Sequence, residues 1–293
     1  MNHVVIAGGS GDLGSLLTEH LRGDGYSVTH IGRTVKPGKA DAVITWNDDI
    51  VSVLDGATAV VNMAGANVGQ GRWTARRRHE ILASRLDTTS AIVQALARCA
   101  QPPAFISTSA VGYYGNTMVP VNEGHPAGAT FLARVTDAWE HAAMQAAPIT
   151  RVAIMRVGVV LHPQFGALRR MLPLFRLGLG GPLGSGRQWF PWVHARDVVA
   201  AYRWAIDGSA SGPYNVVAPE QVTMRTFATM LGRVLHRPSF LAVPTPVLRL
   251  VLGSQADIVL HGQRVAPYRL QGDGYVFQFP DLKGALEQLC GKR

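Results

Sequence analysis

The chain has 293 residues, 47% hydrophobic and 16% charged, with a formal net charge of +9 at pH 7; this length can bury a full core and this composition excludes a disordered chain. Cys99 and Cys290 are the only cysteines, without disulfide-framework or metal-ligand spacing, so a reducing compartment and no metal are expected. Gly, Pro or Arg interrupts every apolar stretch before the roughly 18 residues of a membrane span, and a strand pattern at the N-terminus leaves no room for a signal peptide, so the expectation is a soluble, cytoplasmic protein with no membrane partner.

Val4-Val5-Ile6-Ala7 reads as a buried strand, and Leu13, Leu16, Leu17 and Leu21 mark one face of the helix that follows. Between them lies the run Gly8-Gly9-Ser10-Gly11-Asp12-Leu13-Gly14. A strand, a glycine turn and a helix N-terminus bring backbone N–H groups and a partial positive charge to a pyrophosphate. Gly8, Gly9, Ser10, Gly11, Asp12 and Leu13 are therefore the expected cofactor contacts. The other reading is a glycine-rich turn in a different α/β protein.

Residues 27–31 form the second expected strand, which ends in Gly32-Arg33. A carboxylate at this point binds a ribose 2′-OH, whereas a guanidinium favours a 2′-phosphate, so Arg33, backed by Lys36 and Lys39, points to NADP. A solvated basic loop is the alternative. Short strands are expected at 42–45 and 59–62. Trp46 either flanks an adenine or packs in the core, and Asn62, Met63, Ala64 and Gly65 let backbone lie against the cofactor.

The densest basic patch, Arg72 to Arg78, matches no nucleic-acid module and reads as a solvated helix face or a site for an anionic ligand; no nucleic-acid partner is expected. A helix over about 81–98 carries Arg85, which either binds a substrate anion or ties neighbouring loops together. A strand at 104–107, a helix at 131–146 and a strand at 151–155 complete an alternation that predicts a doubly wound parallel sheet of Rossmann type, with ligands at the carboxyl ends of the strands. Periodicity is lost from 161 to 191. The expected division is a nucleotide-binding domain of residues 1–160 and 191–217 and a smaller substrate domain of 161–190 and 218–293. Arg187, in the second, is another candidate contact for a substrate anion.

The series Gly8-x-x-Gly11-x-x-Gly14, Asn62-Met63-Ala64-Gly65 and Ser107-Thr108-Ser109 resembles the extended short-chain dehydrogenase/reductases. With Arg72-Trp73-Thr74, Ser84-Arg85, Ser109 to Gly115, Gly178 to Gly186 and Leu260 to Val265, the chain resembles the atypical epimerase-family proteins whose C-terminal domain is called DUF1731. That resemblance implies a Rossmann domain, an NADP-type nucleotide and a substrate domain, and it names no substrate. It also places Ser109 where related enzymes polarise a substrate carbonyl, although such a hydroxyl also closes strand-end turns. Hydride-transferring relatives use a Tyr-x-x-x-Lys pair. No lysine lies between Lys39 and Lys283, and by the resemblance Phe131 and Val135 fall in the pair's places.

Tyr114 is then the first replacement proton donor to consider, with Tyr113 and His194 behind it; packed aromatics and a helix start are their structural readings. Two functions are open: an NADP(H)-dependent oxidoreductase or epimerase acting on a small polar or anionic molecule, and a non-catalytic NADPH-binding sensor or partner-binding protein. Monomer and dimer both remain open.

Overall fold

The computed structural model describes residues 2–35 and 38–291; Lys36, expected beside Arg33, lies outside them. In chain order the first elements are β1 (His3–Ala7), α1 (Asp12–Gly23), β2 (Ser27–Gly32), β3 (Ala42–Thr45), α2 (Ile50–Leu54), β4 (Ala59–Asn62), α3 (Ala75–Leu96), β5 (Ala104–Ala110), β6 (Thr117–Val121) and α4 (Phe131–Met144). There follow β7 (Val152–Val157), β8 (Val159–Leu161), α5 (Gly166–Arg176), β9 (Trp189–Phe190), β10 (Trp192–His194), α6 (Ala195–Asp207) and β11 (Gly212–Val216). The last are β12 (Val222–Thr223), α7 (Met224–Val234), α8 (Thr245–Leu252), α9 (Ala256–Leu260), β13 (Gln263–Val265), α10 (Tyr268–Gly272) and α11 (Leu282–Cys290).

Seven strands form one parallel sheet in the order β11-β7-β5-β4-β1-β2-β3. Its chain order reverses beside β1, so the β1–α1 turn opens at the switch point where doubly wound sheets hold their ligands. Alternation along the strands builds both faces. Val4 and Ile6 pack with Leu17 and Leu21 of α1 and Val198 and Tyr202 of α6. Val5 and Ala7 pack on the other face with Leu54 of α2 and Ile92 and Leu96 of α3. Strands buried on both faces read as unbroken apolar runs, and Val4, Val5 and Ile6 are fully buried.

A third apolar cluster stands off the sheet, where Leu168, Leu172 and Phe175 of α5 meet Phe227 and Leu231 of α7 and Leu282 and Leu286 of α11. β6 leaves the sheet and pairs with β13. Tyr275 and Phe277 of the tail pack into the cluster under α6.

Three expectations shift. The segment 161–191 was expected without periodicity, yet it contains α5, whose buried Leu168, Leu172 and Phe175 recur at helical spacing. Arg169, Arg170 and the internal Pro173 obscure that spacing in the sequence. α3 begins at Ala75 rather than 81 because Thr74 caps it, its side chain accepting from the Arg77 N–H at 3.2 Å. β5 runs to Ala110 rather than 107, since its polar side chains find buried partners: Thr108 bonds the Tyr202 hydroxyl at 2.6 Å.

Candidate functional site

The turn after β1 is fixed by contacts that only glycine permits. Gly8 has φ +82°, and a Cβ there would lie 2.8 Å from the Ala64 nitrogen. A Cβ on Gly9 would enter the His30 ring at 2.3 Å, and one on Gly14 would meet the Gly8 carbonyl oxygen at 2.7 Å. His30 is held in place by Thr18 at 2.7 Å, and Thr18 donates to the Gly14 carbonyl at 2.8 Å. With that proton spent, the His30 Nε2–H donates to Thr18. Burial pushes the His30 pKa down, consistent with a neutral ring beneath the turn.

Gly11 is different. Its backbone (φ −75°, ψ 168°) suits any residue, and its Cβ would meet only the Gly8 carbonyl oxygen, at 3.3 Å. Packing thus explains Gly8, Gly9 and Gly14 better than it explains Gly11. Gly11 caps α1 with no side-chain bond. Gly8 N–H donates to the Ile31 carbonyl and Gly11 N–H to that of Gly8, whereas those of Gly9, Ser10, Asp12 and Leu13 find no acceptor among the described residues. Unpaired N–H groups at a helix start form an anion cradle, and Gly11 lies within that stretch. The turn fits a dinucleotide pyrophosphate.

Arg33 follows β2, is exposed, and has no carboxylate within 4.0 Å among the described residues. Lys39 instead pairs with Glu19. Trp46 packs against the core face that includes Val5 and Ile31, which favours the core reading of that residue. Fully buried Asn62 shapes the neighbouring loop: its Nδ2 donates to Thr89 at 2.9 Å and its Oδ1 accepts from the Ala64 N–H at 3.1 Å. Asn62 thus positions Met63, Ala64 and Gly65 instead of facing the cleft itself. Thr89 also accepts from the Trp139 indole at 2.9 Å.

Ser109 and Tyr114 come together, but in a closed network. The Ser109 hydroxyl donates to Glu140 Oε1 at 2.6 Å, and Arg156 grips the same carboxylate through Nε at 2.8 Å and Nη2 at 2.7 Å. Arg156 Nη1 donates to the Tyr114 oxygen at 2.9 Å, and the Tyr114 hydroxyl donates to Asn215 Oδ1 at 2.8 Å. Ser109 is only 1% exposed, and burial pushes the Tyr114 pKa up to about 12 against the pull of Arg156. Both hydroxyls are committed to protein partners, so the expected role of offering a hydroxyl to substrate does not fit this geometry.

Glu140, Arg156 and Asn215 carry no local sequence signal, because their meeting depends on contacts up to 101 residues apart. Tyr113 is only half-buried and lies beneath the Arg156 guanidinium at 3.6 Å. Burial raises its pKa, with Arg156 opposing. His194 is a cap: its Nδ1 accepts from the Arg196 N–H at 3.0 Å, its Nε2–H donates to Gln288 at 2.9 Å, and it stacks on Phe279. Burial holds its pKa down to about 4, so the ring is neutral near pH 7 and its one N–H is held by Gln288. Phe131 meets Trp73 edge-on at 5.2 Å and Val135 is 2% exposed, so apolar packing fills both positions assigned by resemblance to the acid/base pair. Arg187 is exposed.

The profile of the NAD dependent epimerase/dehydratase family matches residues 4–217, and that of a domain of unknown function, DUF1731, matches 243–289. The chain is similar to Epimerase family protein SDR39U1 of Mus musculus, 39% identical over 293 residues, covering 98% of this chain and 99% of that protein. It is also similar to the Arabidopsis thaliana homologue described as chloroplastic, 37% identical over 299 residues, covering 98% and 86%. A crystal structure of the human SDR39U1 protein (isoform 2) with NADPH superposes with TM-score 0.92 at 37% identity, covering 98% of each chain.

Proposed function

The chain belongs to the NAD dependent epimerase/dehydratase family, and from that premise we propose that it binds NADP(H) across the β1–α1 turn and carries out an oxidoreductase or epimerase reaction on a small polar or anionic molecule. The observation that carries this reading is the Gly11 cradle, where the backbone conformation does not demand glycine, a Cβ would press on a single atom, the Gly8 carbonyl oxygen at 3.3 Å, and unpaired N–H groups lie on either side. Arg33 supplies the cation for a 2′-phosphate. The human SDR39U1 structure with NADPH supports the same nucleotide. When bound, the nicotinamide supplies the hydride.

Accompanying proton transfer falls to this chain's residues, and Tyr113 is the candidate that the geometry favours. Its phenol is protonated near neutral pH, burial works against its ionisation, and Arg156 against the ring face opposes that shift and stabilises the phenolate left when the proton is given up. The committed hydroxyls of Ser109 and Tyr114 favour a second reading, a nucleotide-binding protein without turnover. Cys99 and Cys290 are free, which supports a cytoplasmic location. Among the described residues no helix is long and apolar enough to cross a membrane.

The test is a pair of measurements. NADPH should raise the melting temperature of the wild type and leave that of Gly11→Val unchanged; a normal shift in the variant would overturn the nucleotide site. NADPH oxidation with the ketones and sugar nucleotides of ordinary family members should be slow, and Tyr113→Phe should lower the residual rate by about 10²–10⁴. No measurable oxidation with any substrate would favour the second reading.

A further inference from the structure

α3 carries a guanidinium whose charge the protein leaves unanswered. Arg85 lies between the loop after β4 and the side of α4: its Cζ is 5.0 Å from the Trp139 ring centroid, and a Cβ on Gly65 would approach that Cζ to 3.1 Å. Gly65 is therefore the residue that admits the guanidinium. Nη1 donates to the carbonyls of Ile81 at 2.9 Å and Ala66 at 3.2 Å. Nε and Nη2 bond to nothing among the described residues, yet they are not sealed from solvent.

No carboxylate oxygen among the described residues comes within 4.0 Å of Arg85. The charged group that bears on its ionisation is a like charge, Arg77, whose own partner is Glu80 at 2.8 Å. Burial and Arg77 together hold the Arg85 pKa down to about 10. A partly buried cation with no carboxylate partner and one edge of its fork unpaired is stabilised when an anion joins it. A strut between two carbonyls would explain Nη1 and leave the rest of the fork without a role.

We propose that Arg85 is the cation of an oxyanion site in the nucleotide cleft, where Nε and Nη2 grip a phosphate or carboxylate oxygen pair carried by the nucleotide or by the substrate. The location in the cleft rests on the function proposed above; the anion preference rests on Arg85 alone. Both donors lie on one edge of a planar fork, which matches two oxygens of one acidic group. Gly65 and Trp139 fix the plane of that fork.

Calorimetric titration of the full chain with NADPH, and then of the NADPH-loaded protein with inorganic phosphate and with malonate, tests the site in wild type, Arg85→Met and Arg85→Lys. Methionine keeps a stem against Trp139, and lysine keeps the charge without the fork. A fall in NADPH affinity of about tenfold or more in Arg85→Met assigns the oxyanion to the nucleotide. Unchanged NADPH affinity with lost phosphate or malonate binding assigns it to the substrate. Full retention of all three affinities in Arg85→Met overturns the proposal.

If that variant does not fold, phenylglyoxal labelling of wild-type Arg85 decides: protection by NADPH, phosphate or malonate supports the site, and protection by none overturns it. If the wild type binds no NADPH, the nucleotide reading fails, and phosphate and malonate titrations of the nucleotide-free protein still report on Arg85.

Discussion

Ser109, Glu140, Arg156 and Tyr114 form a unit whose members differ in what their loss leaves behind. Ser109→Ala removes one donor while Arg156 still holds Glu140 through two bonds, so it should cost about 0.5–1.5 kcal/mol. Glu140→Ala leaves the Arg156 guanidinium, 4% exposed, without its counter-charge, and should cost about 3–5 kcal/mol. Urea unfolding measures both, and a Ser109 variant as damaging as the Glu140 variant would contradict the network. His194 carries a pH signature. Its folded pKa is near 4, below the ordinary value near 6.5, so as pH falls the unfolded chain takes up the proton first. Stability should be full above pH 6.5 and decline between 6.5 and 4, by at most about 3 kcal/mol from this residue. His3, His30 and His162 shift the same way. His194→Asn keeps a capping oxygen and should flatten that slope in melts from pH 4 to 7; an unchanged slope would remove His194 as its main source. At this scale the sequence showed which hydroxyls lie near the end of β5, but their partners come from α4, β7 and β11, and no local pattern announces them.

Among the elements, the β1–α1 turn makes the sharpest prediction. Gly14→Ala drives a methyl to 2.7 Å from the Gly8 carbonyl oxygen and must open the turn, lowering stability and nucleotide affinity together. Gly11→Ala meets that oxygen at 3.3 Å and should melt within about 1 kcal/mol of wild type while losing NADPH affinity at least about tenfold. Thermal melts with and without NADPH separate the two effects, and equal loss of stability in both variants would show that Gly11 serves the fold alone. The strand, turn and helix were legible because glycine spacing and apolar runs are local signals. α5 was hidden because a narrow buried stripe of Leu168, Leu172 and Phe175 is interleaved with arginines and a proline. α3 was shortened for a related reason: its first turn holds Arg76, Arg77 and Arg78, which give no apolar period, and only the Thr74 cap marks its start.

Over the whole molecule, sheet order and cradle meet at one place: the order of strands reverses beside β1, and the unpaired N–H groups of the first turn open there. β4 delivers the Asn62-shaped loop to the same side, and β2 delivers Arg33. Alternating strands and helices made this architecture legible. The packing of Tyr275 and Phe277 under α6 was not, because no signal in the tail names a partner some 80 residues earlier. The central claim, that this end of the sheet holds NADP(H) and distinguishes it from NAD(H) through Arg33, is tested most directly by calorimetric titration of the wild type and Arg33→Ala with NADPH and NADH at one ionic strength. The wild type should bind NADPH about 10- to 100-fold more tightly, as charge-assisted bonds to a phosphate imply, and Arg33→Ala should bring the two affinities together. Equal affinities in the wild type, or a preference for NADPH that survives in Arg33→Ala, would contradict it.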